Sequence, residues 1–321
     1  MPSAVLTRTE VGAALSLWRR EPGRYFRDVL GGVLYSKQEE MLRALATRRR
    51  VSVVGANGTG KDFCGARAVA WWLTTMYPAK VIVLAPTYRQ VEGILWKELR
   101  QAYHDSRVPL GGQMYPKATR WDIDDQSFAL GFATNEPYSI QGFHSPNLMV
   151  VISEAHAMPQ EHIEAAKRLN PTLLLMTGNP FTVSGEFYES HHSQRTLWEA
   201  ISISAFDTPN VQQKRIVIPG LVTWEDVEER AQEWGGESVL YRAAVLGEFA
   251  ESLDDSLMPL HIIMAAVLRG LVPAKPNILA CDVARFGADK SVLCHRRGPV
   301  ARTVWKLQGK DTMEVTGRIA A

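Results

Sequence analysis

Gly55-Ala56-Asn57-Gly58-Thr59-Gly60-Lys61 follows the apolar run Val51-Ser52-Val53-Val54 and leads into a helix-compatible stretch, Phe63 to Thr74. Strand, glycine-rich loop and helix in that order form a phosphate cradle. The glycines let backbone N–H groups approach an anion, the helix N-terminus adds its dipole, and Lys61 reaches the β- and γ-phosphates. A glycine-rich connection without a ligand is the competing reading, and the flanking elements weigh against it. One residue departs from the pattern. A magnesium-binding Ser or Thr is expected after the lysine, and Asp62 stands there.

A second strand ends in polar residues: Leu148-Met149-Val150-Val151-Ile152-Ser153-Glu154-Ala155-His156. In a phosphate-loop ATPase, Asp-Glu at this point would put the Asp on magnesium and the Glu on the attacking water. Here the pair is Ser153-Glu154, which leaves Glu154 as general base or water-polarising group. The two departures are complementary, because the loop supplies a carboxylate and the strand a hydroxyl. The expectation is that the magnesium ligands Asp62 and Ser153 have been exchanged across the site, with the same oxygen inventory. An Asp beside the β-phosphate repels it unless the metal lies between them. Water-mediated metal binding and a weakened or silent site are the alternatives.

Two further features fit ATP. Gln38, about one helix upstream of the loop, carries an amide that can read adenine bidentately, as amides do in nucleic-acid recognition; surface polarity explains it equally well. Thr177-Gly178-Asn179-Pro180 follows the strand Leu173–Met176 and falls at a carboxyl end of the sheet, where ligands bind in open α/β folds. A γ-phosphate sensor and a plain Asn-Pro turn are the two readings there.

The elements that must position these residues alternate. Val51–Val54, Val81–Ala85, Leu148–Ile152 and Leu173–Thr177 are short and continuously apolar, as parallel strands buried on both faces should be. Helical stretches at Ala66–Met76 and Tyr88–His104 separate or follow them, which is the pattern of a doubly wound α/β domain. Helices Thr9–Arg20 and Ser36–Ala46 precede the loop, with Ser36 as expected N-cap and Glu39 completing a capping box. Thr119–Ile123 and Ser127–Ala133 flank Asp124-Asp125-Gln126 as a hairpin. The segment Phe181–Ala250 is mixed and lacks a strong strand pattern. After Pro273 and Pro276, strands are expected at Ile278–Val283, Ser291–His295 and Ala301–Leu307, and the sequence stops within a nascent helix.

Composition adds bounds. A chain of 321 residues with net charge +2 has room for one to three domains and no overall bias toward nucleic acid. Arg19, Arg20, Arg24, Arg27, Arg43 and Arg48-Arg49-Arg50 crowd the start, as a solvated helical face or as a DNA-contacting patch. Cys64, Cys281 and Cys294 fit neither a zinc site nor a disulfide framework, so a reducing cytoplasm is the natural setting. No apolar run reaches membrane-spanning length.

Taken in order, these motifs resemble the large subunit of tailed-bacteriophage terminases, the DNA-packaging motor. The resemblance rests on Tyr35-Ser36-Lys37-Gln38, the loop Gly55–Lys61, Ala85-Pro86-Thr87 with Gln90, Gln141-Gly142 ahead of Ile152–His156, and Thr177–Pro180. Tyr241-Arg242-Ala243-Ala244-Val245-Leu246-Gly247-Glu248-Phe249 resembles the segment closing that family's ATPase half. The resemblance implies a phosphate-loop ATPase core with a mainly parallel sheet within residues 1–180. It implies a lid or linker subdomain over 181–272 and the opening of a ribonuclease H-like nuclease over 273–321. It implies ATP and magnesium as cofactors, with Gln38 at adenine, Gly55, Ala56, Asn57, Gly58, Thr59, Gly60 and Lys61 around the phosphates, Glu154 catalytic, and Thr177 and Asn179 coupling hydrolysis to movement.

Asp282, in Ile278–Ser291, would be the first metal-binding acid of the nuclease, with Asp289 holding the turn. The other acids would lie in later strands, so this sequence is not expected to cleave DNA. Implied partners are double-stranded DNA, a portal protein, a small terminase subunit and further copies in a ring, in the host bacterial cytoplasm, without a membrane. The family commonly has an arginine where Gln141 stands. Its transition-state arginine is therefore not assignable, with Arg89 and Arg120 as candidates. The alternatives are a helicase-like DNA-dependent ATPase and a catalytically silent nucleotide-binding relic. Trp71-Trp72, Trp96 and Trp121 read as packing residues, and His191-His192 as a solvated pair.

Overall fold

In the computed structural model, which describes residues 8–133, 142–249, 270–284 and 290–320, all four apolar runs lie in one sheet. They are β1 (Arg50–Gly55), β2 (Ala79–Leu84), β6 (Asn147–Ile152) and β7 (Leu173–Gly178). The described residues add β3 (Gln113–Met114), β4 (Arg120–Asp122), β5 (Phe128–Phe132) and β8 (Glu199–Ile203). The strand order is β3-β4-β5-β2-β6-β7-β1-β8. The six strands from β5 to β8 run parallel, and β3 and β4 form the antiparallel edge.

Continuous apolarity has the expected cause, because alternate residues of each central strand are buried in different clusters. Val51, Val53, Val81, Val83, Met149, Val151 and Leu175 pack on one face, against Cys64, Val69 and Leu73 of helix Lys61–Thr75 and against Met41 and Leu42 of helix Ser36–Thr47. Val54, Ile82, Leu84, Val150, Ile152 and Met176 pack on the other, with Ile163, Ala166 and Phe187. At roughly 25 cal/mol per Å² of apolar surface, this two-sided burial is the main force ordering the sheet.

Three local expectations need correction. Helix Ser36–Thr47 is capped by Tyr35, not Ser36, and the side chain reaching back to the cap is Gln38, whose Oε1 accepts the Tyr35 N–H at 3.4 Å. Glu39 instead pairs with Arg27 at 2.8 Å. The mixed segment after Phe181 supplies β8, which pairs with β1 and so completes the sheet on that side. Of the pair His191-His192, His192 is exposed as expected but His191 is half-buried: Ser52 Oγ lies 3.1 Å from its Nε2, and burial foremost lowers its pKa to about 4. The four tryptophans Trp71, Trp72, Trp96 and Trp121 are buried, as packing requires.

The chain divides into two compact units, Met1–Leu257 and Met258–Ala321. In the second, β9 (Asn277–Asp282), β10 (Lys290–Arg297) and β11 (Val300–Gln308) form an antiparallel sheet in the order β11-β10-β9, followed by helix Thr312–Ala320.

Candidate functional site

Three parallel strands, β6, β7 and β1, lie side by side and end together. The glycine-rich loop leaves β1, Asn179 follows β7, and Ser153 and Glu154 follow β6. The sheet therefore gathers the expected residues at one carboxyl edge.

The loop is held from several directions. Tyr35 Oη donates to Thr59 O at 2.7 Å, Gln38 Nε2 donates to Gly60 O at 3.3 Å, and Thr59 Oγ1 donates to Ala56 O at 3.0 Å. Asn179 Nδ2 reaches both Gly55 O at 2.7 Å and Asn57 Oδ1 at 2.8 Å. The later segment closes on it as well: Ala56 N–H donates to Ile203 O, Asn57 N–H to Ala244 O, and Val222 N–H to Gly58 O. Gly60 caps helix Lys61–Thr75 in the left-handed region at φ 75°, and a Cβ there would stand 2.7 Å from Gln38 Nε2. Only glycine takes this shape without strain. The first turn of the helix carries N–H groups with no intrahelical acceptor, directed at the loop's concavity.

Asp62 and Ser153 meet. Ser153 Oγ donates to Asp62 Oδ1 at 3.1 Å, and Lys61 Nζ lies 3.5 Å from Asp62 Oδ2. Lys61 and Ser153 are buried, and Asp62 is largely so. Asp62 and Ser153 are thus direct neighbours. Thr177, paired in register with Val53, is 1 % exposed, and its Oγ1 has no hydrogen-bond partner among the described residues. A buried hydroxyl left unsatisfied costs about 1–3 kcal/mol, so this end of β7 favours a further polar atom beside it.

Glu154 stands immediately beyond, with its backbone at φ 54° and ψ 43°. A non-glycine residue in that region stores about 1–3 kcal/mol and calls for a cause in the surroundings. Burial foremost raises the Glu154 carboxyl above the usual carboxylate range; Lys61 pulls it down and Asp62 pushes it up. His156 Nδ1 lies 3.3 Å from Glu154 Oε2 and accepts the Asn179 N–H at 3.3 Å. Burial foremost, and then Lys61, lower the imidazole to about 4, so the ring is neutral near pH 7 and the Glu154 contact is not an ion pair.

Beside the loop a cleft of about 360 Å³ is lined by Gln38, Lys61, Phe63, Ile94, Ile218 and Leu221, among others. Gln38 borders it but is 2 % exposed, with its amide committed to Gly60 O and the Tyr35 N–H. Arg120 binds both carboxylate oxygens of Asp122, at 2.8 and 2.9 Å, on the edge hairpin, and Arg89 is exposed in the short helix Tyr88–Gln90 after β2. Gln141 and Asp289 lie outside the described residues. Asp282 ends β9 in the second unit and is exposed, and no cluster of three or more His, Cys, Asp or Glu suited to a metal occurs among the described residues. Sequence reasoning missed Asn57 as partner of Asn179, the backbone clamps from Ile203, Val222 and Ala244, and the contacts of His156. No local signal marks such contacts: most join segments far apart in the chain, and the approach of His156 to Glu154 depends on the left-handed turn at Glu154.

No family model matches this sequence. A curated relative, the probable terminase large subunit of Enterobacteria phage P7, is 27 % identical over 268 residues, covering 75 % of this chain and 51 % of the relative. The chain thus spans about half the length of the curated relative it matches. Among solved structures, the large terminase ATPase domain of Thermus phage P74-26 matches with a TM-score of 0.52 at 15 % identity, over 72 % of this chain and 99 % of that domain. The HK97 bacteriophage large terminase matches with a TM-score of 0.56 at 12 % identity, over 98 % and 71 % of the two chains. The large terminase of a thermophilic bacteriophage, solved in complex with ADP, matches at 0.52 and 13 % identity, over 89 % and 73 %. In sequence this chain is similar to a phage terminase large subunit, and it shares the fold of terminase ATPase domains.

Proposed function

We propose that this chain is the ATP-hydrolysing motor portion of a phage terminase large subunit and drives double-stranded DNA into a capsid. The observation that carries the reading is the convergence of the phosphate loop, the Asp62–Ser153 pair, Glu154 and Asn179 at one edge of a parallel sheet. The loop amides and Lys61 cradle the phosphates of ATP, and Glu154 accepts a proton from the attacking water. The cleft beside Gln38 takes the base, with Phe63, Ile94, Ile218 and Leu221 as its apolar contacts. Because the Gln38 amide is already bonded to the loop, its main effect is to shape the cradle.

Asp62 and Ser153 fit magnesium chemically: one carboxylate and one hydroxyl are hard oxygen donors, and such a metal takes its remaining oxygens from phosphates and water. When bound, it would neutralise phosphate charge during transfer. Thr177 and Asn179 report phosphate occupancy to the loop and to β7. Residues 181–272 complete the ATPase half, with β8 in the sheet and the segment beyond it closing on the loop as lid or linker, and 273–321 act as the opening of the nuclease half, with Asp282 as its first acid. DNA, a portal protein, a small terminase subunit and further copies in a ring are the partners this reading entails, in the host cytoplasm.

DNA dependence distinguishes this reading from a helicase-like ATPase. Long blunt duplex should raise the rate of phosphate release without strand separation, and the stimulation should fall steeply with salt because phosphate contacts dominate. Separation of a tailed duplex would favour the helicase. Tight ATP binding without any turnover would favour the silent relic.

A further inference from the structure

We propose that His156 is a positioning residue that makes the freedom of Glu154 to take a proton depend on where Asn179 sits. The inference deepens the ATPase reading and rests on it. Its basis is that one atom, His156 Nδ1, stands 3.3 Å from two groups with opposite demands. The Asn179 N–H needs an acceptor there, whereas the Glu154 carboxylate needs a donor. A neutral imidazole nitrogen is one or the other, never both.

The surroundings fix this arrangement. The left-handed turn at Glu154 brings His156, two residues later, back beside the carboxylate. Phe181 packs edge-on against the ring with centroids 5.6 Å apart, which restricts its rotation. Asn179 is tied to the phosphate loop by its side-chain bonds to Gly55 O and Asn57 Oδ1. A continuous path therefore runs from the loop through Asn179 and His156 to Glu154.

Two arrangements follow, with the ring neutral in both. While Asn179 N–H occupies Nδ1, the ring proton sits on Nε2, and Glu154 is held near the ring without being captured by a hydrogen bond. Its lone pairs stay available to a water. If the end of β7 withdraws, Nδ1 can carry the proton instead and bind Glu154, taking it out of action. Movement of Asn179 with the loop then sets whether Glu154 can act.

His156→Ala and His156→Asn test this, because the Asn Oδ1 stands near the position of Nδ1 and can accept the Asn179 N–H. His156→Ala should lower kcat about 10–100-fold, the usual cost of removing a partner that orients a reacting group, with nucleotide affinity changed by less than about 3-fold. His156→Asn should recover most of that loss. Unchanged kcat in His156→Ala, an equal fall in affinity and kcat, or no recovery in His156→Asn would overturn the proposal. Nitrogen-15 NMR of the unaltered chain gives a readout independent of turnover: Nδ1 should be unprotonated without nucleotide, and a protonated Nδ1 would overturn the proposal. Absence of turnover together with the expected tautomer would instead overturn the ATPase reading.

Discussion

Exchanging Asp62 and Ser153 back, one at a time and together, tests the metal-ligand assignment. Ser153 Oγ lies 3.1 Å from Asp62 Oδ1, so Ser153→Asp sets two carboxylates about 4 Å apart, a repulsion of about 4 kcal/mol at an effective dielectric near 20. Lys61, 3.5 Å from Asp62, offsets part of this, which leaves a destabilisation of about 2–4 kcal/mol in metal-free protein. For a domain of this size, that lowers Tm by about 4–16 °C. Magnesium should restore most of the loss, because the ion would lie between the carboxylates. Asp62→Thr instead leaves two hydroxyls and no carboxylate, so it should weaken metal dependence while leaving the fold intact. Each single substitution should lower turnover about 10–100-fold, and the pair should return to within about 10-fold of the starting rate. Phosphate release across a magnesium titration, with thermal melting alongside, measures both effects. Losses that simply multiply in the double variant would refute the exchange.

Other expectations concern the same edge of the sheet. Asn179→Ala removes the donor to Gly55 O and Asn57 Oδ1 and should cost about 1–3 kcal/mol in urea unfolding, with turnover falling further than nucleotide affinity. Gly247→Ala should destabilise by more than about 1–3 kcal/mol, since φ is +70° and the new Cβ would stand 2.5 Å from Ile203 O and 3.1 Å from Ala56 N; an unchanged urea midpoint would contradict the clamp on the loop. Stability should also fall with acid. His156 and His191 are held near 4 when folded, against about 6.5 in the unfolded chain, so the unfolded state binds more protons between those values. Their contribution is full above about pH 6.5 and is lost as pH drops toward 4. Glu154, raised when folded, has the opposite slope just above 4.5, so the net change is smaller than the two histidines alone would give. Urea midpoints that do not move between pH 7 and 5 would contradict the assignment.

The residues gathered at the candidate site were largely legible because they sit in short, contiguous patterns. The phosphate loop is one run of residues, and each buried parallel strand announces itself by continuous apolarity. The complementary departures at Asp62 and Ser153 pointed to each other across 91 positions, and the structure joins them by a hydrogen bond. Strand β8 was harder to see: Ile201 and Ile203 are buried while Ser202 is exposed, and an edge strand with so short an alternation resembles a loop. The cap of helix Ser36–Thr47 was misplaced because Ser36 has the commoner capping side chain, yet Tyr35 has the extended backbone and its hydroxyl is drawn to Thr59 O. His191 looked exposed beside His192, and only β1 passing beneath it supplies Ser52. The role of His156 depends on contacts with Glu154 and Asn179 that no spacing rule encodes.

The central claim is that the altered site turns over ATP. Steady-state phosphate release with magnesium and ATP, beside Lys61→Ala and Glu154→Ala, measures it most directly. The account predicts turnover in the unaltered chain that Lys61→Ala abolishes by removing phosphate binding, and that Glu154→Ala abolishes while nucleotide still binds. No phosphate release at saturating ATP despite binding, or release that survives Glu154→Ala, would contradict it.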